Sequence, residues 1–247
     1  MSERKSVLVT GGGSGIGKAA ALLLGARGWA VTIVDRDAAA GAAVAAEIIS
    51  AGGQAQAVAA DVSDEASVKA AVDKAVQAFG RLHGAINSAG VEQSGKPVWE
   101  LDAAGWDRCT GINLRGMFLC LKHQAAAMLK TGGSIVAISS AAASKGLINS
   151  SDYCASKAGV TGLVRGAAID GTEVGIRVNA LLPGATATPM AARSSASTPK
   201  LAGTLRVPVG RMAEPVEIAA AAVWLLSDEA SYVTGACIAV DGGMSIA

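Results

Sequence analysis

The fold of this chain is decided by the stretch Ser6-Val-Leu-Val-Thr-Gly-Gly-Gly-Ser-Gly-Ile-Gly17. Its first five residues are mostly β-branched or aliphatic, which is typical of a buried parallel strand. The glycines predict a tight turn, and the apolar spacing after Ile16 predicts a helix that ends at Gly28. A strand, a glycine-rich turn and a helix in this order indicate a dinucleotide site, because the backbone can approach a pyrophosphate and the helix N-terminus offers free N–H groups. A tight turn that binds no ligand is the alternative.

Similar strand and helix signals alternate along the rest of the chain. Short apolar runs predict strands at residues 6–10, 30–34, 54–60, 82–86, 133–140, 175–182 and 235–240. Helices are predicted between them, including residues 37–51, about 103–130, about 152–172 and 214–226. This alternation predicts the α/β class, with a seven-stranded parallel sheet and helices on both faces. Since no repeat or linker interrupts the series, residues 1–247 are predicted to form a single domain.

The composition excludes several classes of protein. Of the 247 residues, 51% are hydrophobic and only 3% are aromatic, and the formal net charge is +1. Because acidic and basic residues are interspersed, neither a nucleic acid nor an anionic membrane is an expected partner. No apolar run reaches the roughly 18 residues needed to span a bilayer. The first residues also lack the apolar run of a signal peptide, so we expect a cytoplasmic protein.

The cysteines do not form a metal-binding pattern. They are far apart in the sequence, at Cys109, Cys120, Cys154 and Cys237, and the histidines are His83 and His123. No Cys-x-x-Cys pair and no zinc spacing can be assembled from these residues. The prediction is therefore reduced thiols in a cytosolic protein, with no metal site.

Tyr153 and Lys157 form the candidate chemical pair. Their spacing places both side chains on one face of a helix. A neighbouring ammonium lowers the pKa of a phenol because it favours the phenolate. Lowering it from about 10 to about 7.5 needs about 3.4 kcal/mol, much of which one close cation in a partly dry site can supply. Such a phenol can exchange a proton with an alcohol or a carbonyl. An ordinary solvated pair is the alternative, since this spacing is common by chance.

These features occur with others in a recognisable order. The glycine turn has the form Thr10-Gly-x-x-x-Gly15-x-Gly17, and the fourth predicted strand is followed by Asn87-Ser-Ala-Gly90. Then come, in order, Asn113, Ser140, Tyr153, Lys157 and Pro183-Gly184. Over nearly the whole chain this pattern resembles the short-chain dehydrogenase/reductase family, with Ser88 where the family has a second Asn. The resemblance implies a Rossmann fold and reversible hydride transfer between NAD(H) and a secondary alcohol or ketone, such as a small cyclic alcohol, a diol or a sugar.

The resemblance also implies catalytic roles. Tyr153 is expected to act as general base in oxidation and general acid in reduction, while Lys157 lowers its pKa and bonds the nicotinamide ribose. Ser140, thirteen residues before Tyr153, is expected to hold the substrate oxygen, and Asn113 to break its helix and support a proton relay through a water. Ser139 is the competing serine, since neighbours on a strand point to opposite faces.

The predicted cofactor residues come from the glycine turn and from the ends of the later strands. In the turn and its helix they are Gly11, Ser14, Gly15, Ile16 and Gly17. After the later strands they are Asp35, Asp61, Val62, Asn87, Ala89, Gly90, Pro183, Gly184, Thr186 and Thr188, with Tyr153 and Lys157 from the catalytic helix.

Asp35 decides the choice between the two nicotinamide cofactors. An acid at the end of the second strand, about 20 residues after the glycine turn, accepts hydrogen bonds from the adenosine ribose and repels a 2′-phosphate. Arg36 argues the other way, since an Arg can accommodate that phosphate, but Ser14 is neutral where NADP-preferring relatives often carry a basic residue. We therefore predict NAD, with NADP the less favoured cofactor. In the alternative interpretation Asp35 only caps the next helix, a position that Asp37 fits better.

The substrate is expected to lie among residues 91–97, 141–150 and a mobile lid at about 186–210. These segments are small and polar, so they predict no diagnostic charged or aromatic anchor. Two alternative functions remain, namely a 3-oxoacyl thioester reductase that uses NADPH and a non-catalytic NAD-binding sensor. The resemblance further implies a homotetramer that pairs the two long helices and the last strand. The apolar residues of the first of these helices could face either a neighbour or the sheet, namely Leu114, Phe118, Leu121 and Met128.

Overall fold

A computed structural model describes residues 4–204 and 206–247. Residues 1–3 of the predicted domain and residue 205 of the predicted lid lie outside the described residues. Within that part of the chain, all strands join one parallel sheet of seven strands. The strands are β1 (Ser6–Thr10), β2 (Ala30–Asp35), β3 (Gln54–Ala59), β4 (Gly84–Asn87), β5 (Gly133–Ile138), β6 (Ile176–Pro183) and β7 (Cys237–Val240). The predicted fold class is confirmed.

Helices connect these strands on both faces of the sheet. They are α1 (Gly15–Ala26), α2 (Ala38–Ser50), α3 (Glu65–Phe79), α4 (Ala103–Thr110), α5 (Gly116–Met128), α6 (Ser151–Gly171), α7 (Pro189–Ser197), α8 (Pro199–Thr204) and α9 (Pro215–Leu226). In the described part of the chain, none of them combines the length and the apolar content needed to cross a bilayer.

The sheet separates two apolar cores, because successive residues of a strand face opposite sides. Val7 and Val9 of β1 pack with the buried residues of α1, α2 and α9. Leu8, between them, packs on the other face with residues of α3, α5 and α6. All three side chains are fully or almost fully buried, which explains why β1 is apolar throughout rather than alternating.

The strand order creates a crevice at one end of β1. The sheet runs β3-β2-β1-β4-β5-β6-β7, so the chain leaves β1 toward one edge and later returns to its other side at β4. In open parallel sheets, ligands bind outside the carboxyl ends of the strands at such a reversal. The glycine turn follows β1 directly and therefore lies in this crevice.

The structure adds detail to two predicted elements and corrects a third. The long helix predicted at 103–130 is interrupted, as expected at Asn113, by a π-helical turn, Gly111–Arg115. The prediction that the fifth strand reaches residue 140 is wrong, because the strand ends at Ile138 and both candidate serines lie beyond it. The lid segment, predicted from its small polar residues, contains α7 and α8, because Thr188 caps α7 and Pro189 begins it, as proline readily does.

Candidate active site

One cavity of about 680 Å³ opens at the carboxyl ends of the strands. Its walls come from the glycine turn, the ends of β2 to β6, the start of α6 and helix α7. Most of the predicted site residues line it; the exceptions are Gly17, Asn87 and Asn113. The structure therefore brings most of the predicted residues together at one cavity.

The glycine turn needs its glycines for physical reasons. Gly11 has a left-handed φ of +63°, and a Cβ there would lie 2.7 Å from the backbone nitrogen of Ala89. A Cβ at Gly17 would overlap the carbonyl oxygen of Gly11. Ser14 precedes α1 without a side-chain cap, so the first N–H groups of this helix remain available to a ligand. Close backbone approach and uncapped N–H groups fit a dinucleotide pyrophosphate.

Asp35 is held at the rim of this turn. Its Oδ2 accepts a hydrogen bond from the Gly13 N–H at 2.9 Å, and its Oδ1 accepts one from the Asp37 N–H at 3.0 Å. Helix α2 is capped by Asp37, whose carboxylate accepts from the Ala40 N–H at 3.0 Å. Asp35 is therefore not the cap of α2, and its carboxylate lines the cavity beside Arg36.

The end of β3 supplies Asp61 and Val62 to the same wall. Asp61 accepts hydrogen bonds at Oδ1 from the Ser63 hydroxyl at 2.7 Å and the Ser63 N–H at 2.8 Å. These two bonds lower the pKa of the Asp61 carboxyl, so it is ionised at neutral pH. Val62 is buried and packs close to Gly116, where a Cβ would lie 3.0 Å from its Cγ2.

Asn87 stabilises the sheet beneath the cavity. Its buried amide exchanges two hydrogen bonds with Gln124 of α5, at 2.7 and 2.8 Å, and accepts a third from Thr10 at 3.4 Å. Ala89 and Gly90, which follow it, line the cavity instead. In this motif Asn87 therefore supports the sheet, whereas Ala89 and Gly90 form part of the cavity wall.

Ser140, Tyr153 and Lys157 meet at the wall of the cavity. The Lys157 Nζ lies 5.6 Å from the centre of the Tyr153 ring and donates to the Ile138 carbonyl at 3.0 Å. Burial raises the pKa of Tyr153 to about 12, although a hydrogen bond with Ser140 opposes it. Burial lowers the pKa of Lys157 to about 8.

The expected lowering of the phenol pKa is therefore wrong for the protein alone. The ammonium of Lys157 points to the Ile138 carbonyl, and loss of hydration outweighs the hydrogen bond from Ser140. A buried neutral phenol is favoured over a buried phenolate when no opposite charge is close enough to compensate.

The two candidate serines have different partners. Ser139 is buried and donates to the backbone carbonyl of Lys157 at 2.9 Å. Ser140 reaches the phenol of Tyr153 and accepts from the Ala142 N–H at 3.1 Å. Ser139 therefore fastens α6 to the end of β5, whereas Ser140 is the serine beside the candidate base.

Asn113 lies behind the wall, in the π-helical turn. Its Oδ1 accepts from the Val91 N–H at 2.8 Å, and its Nδ2 donates to the Val91 carbonyl at 3.0 Å. A Cβ at Gly90 would lie 3.1 Å from Asn113 Oδ1 and 3.7 Å from Lys157 Nζ, so a side chain there would crowd both groups. The expected break in the helix is confirmed, and the proton relay through Asn113 stays a prediction.

The turn after β6 closes the cavity on the opposite side. Pro183, Gly184, Thr186 and Thr188 all line it. Thr186 donates to the Gly184 carbonyl at 3.1 Å. Thr188 caps α7 by accepting from the Ala191 N–H at 3.1 Å, and its Cγ2 lies 3.3 Å from where a Cβ of Gly15 would be. The turn thus lies directly against the start of α1.

The substrate end contains charged residues that the sequence analysis did not single out. Glu92 and Arg193 line the cavity and form an ion pair at 3.2 Å, so the expectation of no charged anchor is wrong. Arg108 also lines it and donates to the Glu92 carbonyl at 3.0 Å. Contacts between residues 101 positions apart, as here, leave no periodic signal in a sequence.

Comparisons with known proteins agree with this geometry. A family model described as enoyl-(acyl carrier protein) reductase matches residues 11–245. The chain is 46% identical to 2,5-dichloro-2,5-cyclohexadiene-1,4-diol dehydrogenase from Sphingobium indicum, over 98% of this chain and 97% of that protein. It is 41% identical to cyclohexanol dehydrogenase from an Acinetobacter species, over 97% of this chain and 94% of that one.

Solved structures extend the likeness to three dimensions. The crystal structure of levodione reductase superposes with a TM-score of 0.94 and 40% identity, covering 98% of each chain. A 3-ketoacyl-(acyl carrier protein) reductase from Brucella melitensis, solved in complex with NADH, has a TM-score of 0.90 and 35% identity, over 99% of this chain and all of that one.

The likeness covers 98% of this chain in both comparisons, and 97% and 98% of the two relatives. The chain belongs to the short-chain dehydrogenase/reductase family, as an oxidoreductase that transfers a hydride between a nicotinamide cofactor and a secondary alcohol or ketone.

Proposed function

We propose that this protein is an NAD-dependent dehydrogenase of a small cyclic secondary alcohol, acting reversibly. One observation carries the proposal: Ser140, Tyr153 and Lys157 line the same cavity as the glycine turn. A proton-transfer group and a cofactor cradle in one cavity are what hydride transfer from an alcohol requires, since the proton and the hydride leave the same substrate.

Ser140, Tyr153 and Lys157 have separate roles in this reaction. A bound nicotinamide ring supplies the hydride acceptor for oxidation and the donor for reduction. Ser140 holds the substrate oxygen by its hydroxyl, and the Tyr153 phenol takes the hydroxyl proton in oxidation or gives it in reduction. Lys157, whose ammonium donates to the Ile138 carbonyl in the protein alone, would hold the nicotinamide ribose.

The direction of the reaction is linked to the charge around Tyr153. With a pKa of about 12 in the protein alone, the phenol is protonated at neutral pH and ready to act as an acid. Oxidation needs the phenolate, which positive charge beside the ring would stabilise.

Asp35 supports the preference for NAD. Its carboxylate is fixed by two backbone N–H groups and faces the cavity. There it can accept hydrogen bonds from ribose hydroxyls, while a 2′-phosphate would meet a like charge. The NADH complex of the Brucella relative is compatible with this preference.

The ring-shaped substrate is supported by the relatives and by the lining of the cavity. The names of the similar proteins describe dehydrogenases of a cyclohexadienediol and of cyclohexanol. In this chain, aliphatic and thioether side chains line the cavity beyond the catalytic residues, namely Leu147, Met190, Leu201 and Met244. Such a surface suits the carbon face of a small ring.

A thioester substrate is the second candidate. The likeness to a 3-ketoacyl-(acyl carrier protein) reductase favours it, whereas Asp35 disfavours the NADPH on which such an activity was expected to depend. The test compares kcat/KM for acetoacetyl-CoA with NADPH and for cyclic ketones with NADH. A higher value for acetoacetyl-CoA than for any cyclic ketone would make the thioester reductase the better assignment.

We further propose a lid over the substrate, an oligomeric assembly and a cellular location for the protein. Helices α7 and α8 would close over the substrate as one part of a single domain, and the protein would act as a cytoplasmic homotetramer. Leu121 and Met128 are buried toward the sheet, while Phe118 of α5 and Ile169 of α6 are exposed and available to a neighbour. Light scattering at the mass of a monomer would contradict the tetramer.

The central experiment measures oxidation of cyclohexanol and related secondary alcohols with NAD and with NADP, followed by the absorbance of the reduced cofactor. We expect turnover with NAD and a lower kcat/KM with NADP. Asp35→Ala should shift the NAD/NADP ratio of kcat/KM toward NADP by about tenfold or more, since a like-charge contact is removed. An unchanged ratio would mean that Asp35 only orders the turn.

A further inference from the structure

We propose that Glu92 determines substrate specificity by accepting a hydrogen bond from a second hydroxyl group, so that the cavity selects cyclic diols over single alcohols. This inference rests on the proposed function, because the first hydroxyl must lie at Tyr153 and Ser140. Residues 91–94 carry Glu92 and are held in place by hydrogen bonds with three other parts of the protein.

Each neighbour of Glu92 is fastened to a different part of the protein. The backbone of Val91 is held on both its N–H and its carbonyl by Asn113, at 2.8 and 3.0 Å. The buried amide of Gln93 donates to Ser194 at 2.7 Å and to Thr198 at 3.1 Å, which joins this loop to α7 and its end. Glu92 therefore lies between two residues that side-chain hydrogen bonds hold in place in the protein without substrate.

A buried carboxylate ties this loop to the candidate base. Asp152 accepts at Oδ2 from the Ser94 hydroxyl at 2.6 Å and the Ser94 N–H at 2.9 Å. Its Oδ1 accepts from the N–H of Tyr153 at 2.8 Å. The Asp152 side chain thus holds both Ser94 and the backbone of Tyr153 in place. Glu92 is close enough to Tyr153 for its charge to raise the pKa of the phenol.

The carboxylate of Glu92 has acceptor capacity that its known bonds do not use. Its Oε2 receives both bonds from Arg193, from Nε at 3.3 Å and Nη2 at 3.2 Å. These are long for a charged pair, and Arg193 is the more exposed partner, at 56% against 20% for Glu92. Two carboxylate oxygens offer about four acceptor sites, and the side chain lines the cavity. It can therefore accept a further hydrogen bond from a substrate.

The charge of Glu92 decides which substituent it accepts. Burial raises the pKa of Glu92, but its own backbone N–H and Arg193 outweigh this and lower it, so the group is ionised and can only accept. A hydroxyl can donate to it, whereas a carbonyl cannot.

The test compares two substrates that differ only in the second hydroxyl. The ratio of kcat/KM for cis-cyclohexane-1,4-diol to that for cyclohexanol is measured in the wild type, Glu92→Gln and Glu92→Leu. We expect the ratio to fall by about tenfold to a hundredfold in Glu92→Leu, which removes a hydrogen bond to a charged acceptor, and by less in Glu92→Gln. Effects on folding or on Tyr153 alter both substrates alike and cancel in the ratio.

Arg193→Gln is the matched control. It breaks the same ion pair but keeps the Glu92 carboxylate, so its diol ratio should stay at or above that of the wild type. An equal fall in both variants would mean that the ion pair only closes α7, and an unchanged ratio in Glu92→Leu would overturn the inference directly. In both cases cyclohexanol would still be oxidised. If the wild type oxidised no cyclic alcohol with either cofactor, the proposed function would fail first.

Discussion

The two ends of the cavity are built in different ways. At the cofactor end the glycine turn forms its part of the wall from backbone, with glycines that tolerate no Cβ and the uncapped start of α1, and Asp35 adds a carboxylate beside it. At the substrate end the walls are side chains from segments far apart in sequence, such as Glu92 and Arg193. A backbone site admits few residue types and so leaves a visible pattern, while a side-chain site can be rebuilt by single substitutions. We infer that the backbone at one end binds a cofactor that many proteins share, whereas the side chains at the other end set the substrate of this protein.

The largest expected effect lies where the two ends meet. Tyr153→Phe removes the proton-transfer group but keeps the ring, so kcat should fall by about 10³-fold or more. Because the glycine turn is untouched, NADH binding measured by fluorescence titration should stay within a few-fold of the wild type. Retained turnover would mean that another group transfers the proton.

The backbone character of the cofactor end is tested at Gly17. An added methyl group would overlap the Gly11 carbonyl, and overpacking of this kind typically costs about 1–3 kcal/mol. Gly17→Ala should therefore weaken NADH binding by about tenfold to a hundredfold.

The matched control is Gly162→Ala in α6. A Cβ there would meet nothing within 4 Å, so NADH binding should not change and the helix should gain up to about 1 kcal/mol of stability. If both substitutions weakened binding equally, the close approach of Gly17 to Gly11 would not be the cause.

A further effect is expected in the pH dependence of the free energy of unfolding, at the junction of the two ends. Burial lowers the pKa of Lys157 in the folded protein from its ordinary value of 10.5 to about 8. Between these values the unfolded chain binds the proton that the folded chain has lost, so the free energy of unfolding rises with pH. Subtracting the free energy of unfolding of Lys157→Met from that of the wild type isolates this contribution from the titration of Tyr153 and the cysteines.

We expect this difference to be flat below pH 8 and to rise from pH 8 toward 10.5, as measured by urea unfolding. Lys96→Met serves as the control. Asp102 raises the pKa of the exposed Lys96 in the folded protein, so the stabilisation that Lys96 contributes is fully present at any pH below its pKa in the unfolded chain. A flat difference for Lys157→Met would mean that its ammonium is not penalised by burial.

The contrast between the ends also explains what could be predicted from the sequence. The glycine turn and the seven strands were identified because steric limits and apolar runs act over short stretches. Ser140 and Ser139 could not be separated by strand alternation, since both lie past the end of β5. The role of Asp152 depends on a contact with Ser94, 58 positions away, that only the folded chain creates. The pKa of Tyr153 followed burial, which residue spacing does not reveal.

We expect the two ends of the cavity to act independently, with Asp35 selecting the cofactor and Glu92 selecting the substrate. The most direct test measures two ratios of kcat/KM, NAD over NADP and diol over cyclohexanol, in Asp35→Ala, Glu92→Leu and the double variant. We predict that each single substitution changes only its own ratio and that the double variant combines both changes, as distant independent sites do. A substitution at one end that shifted the ratio of the other would contradict the account.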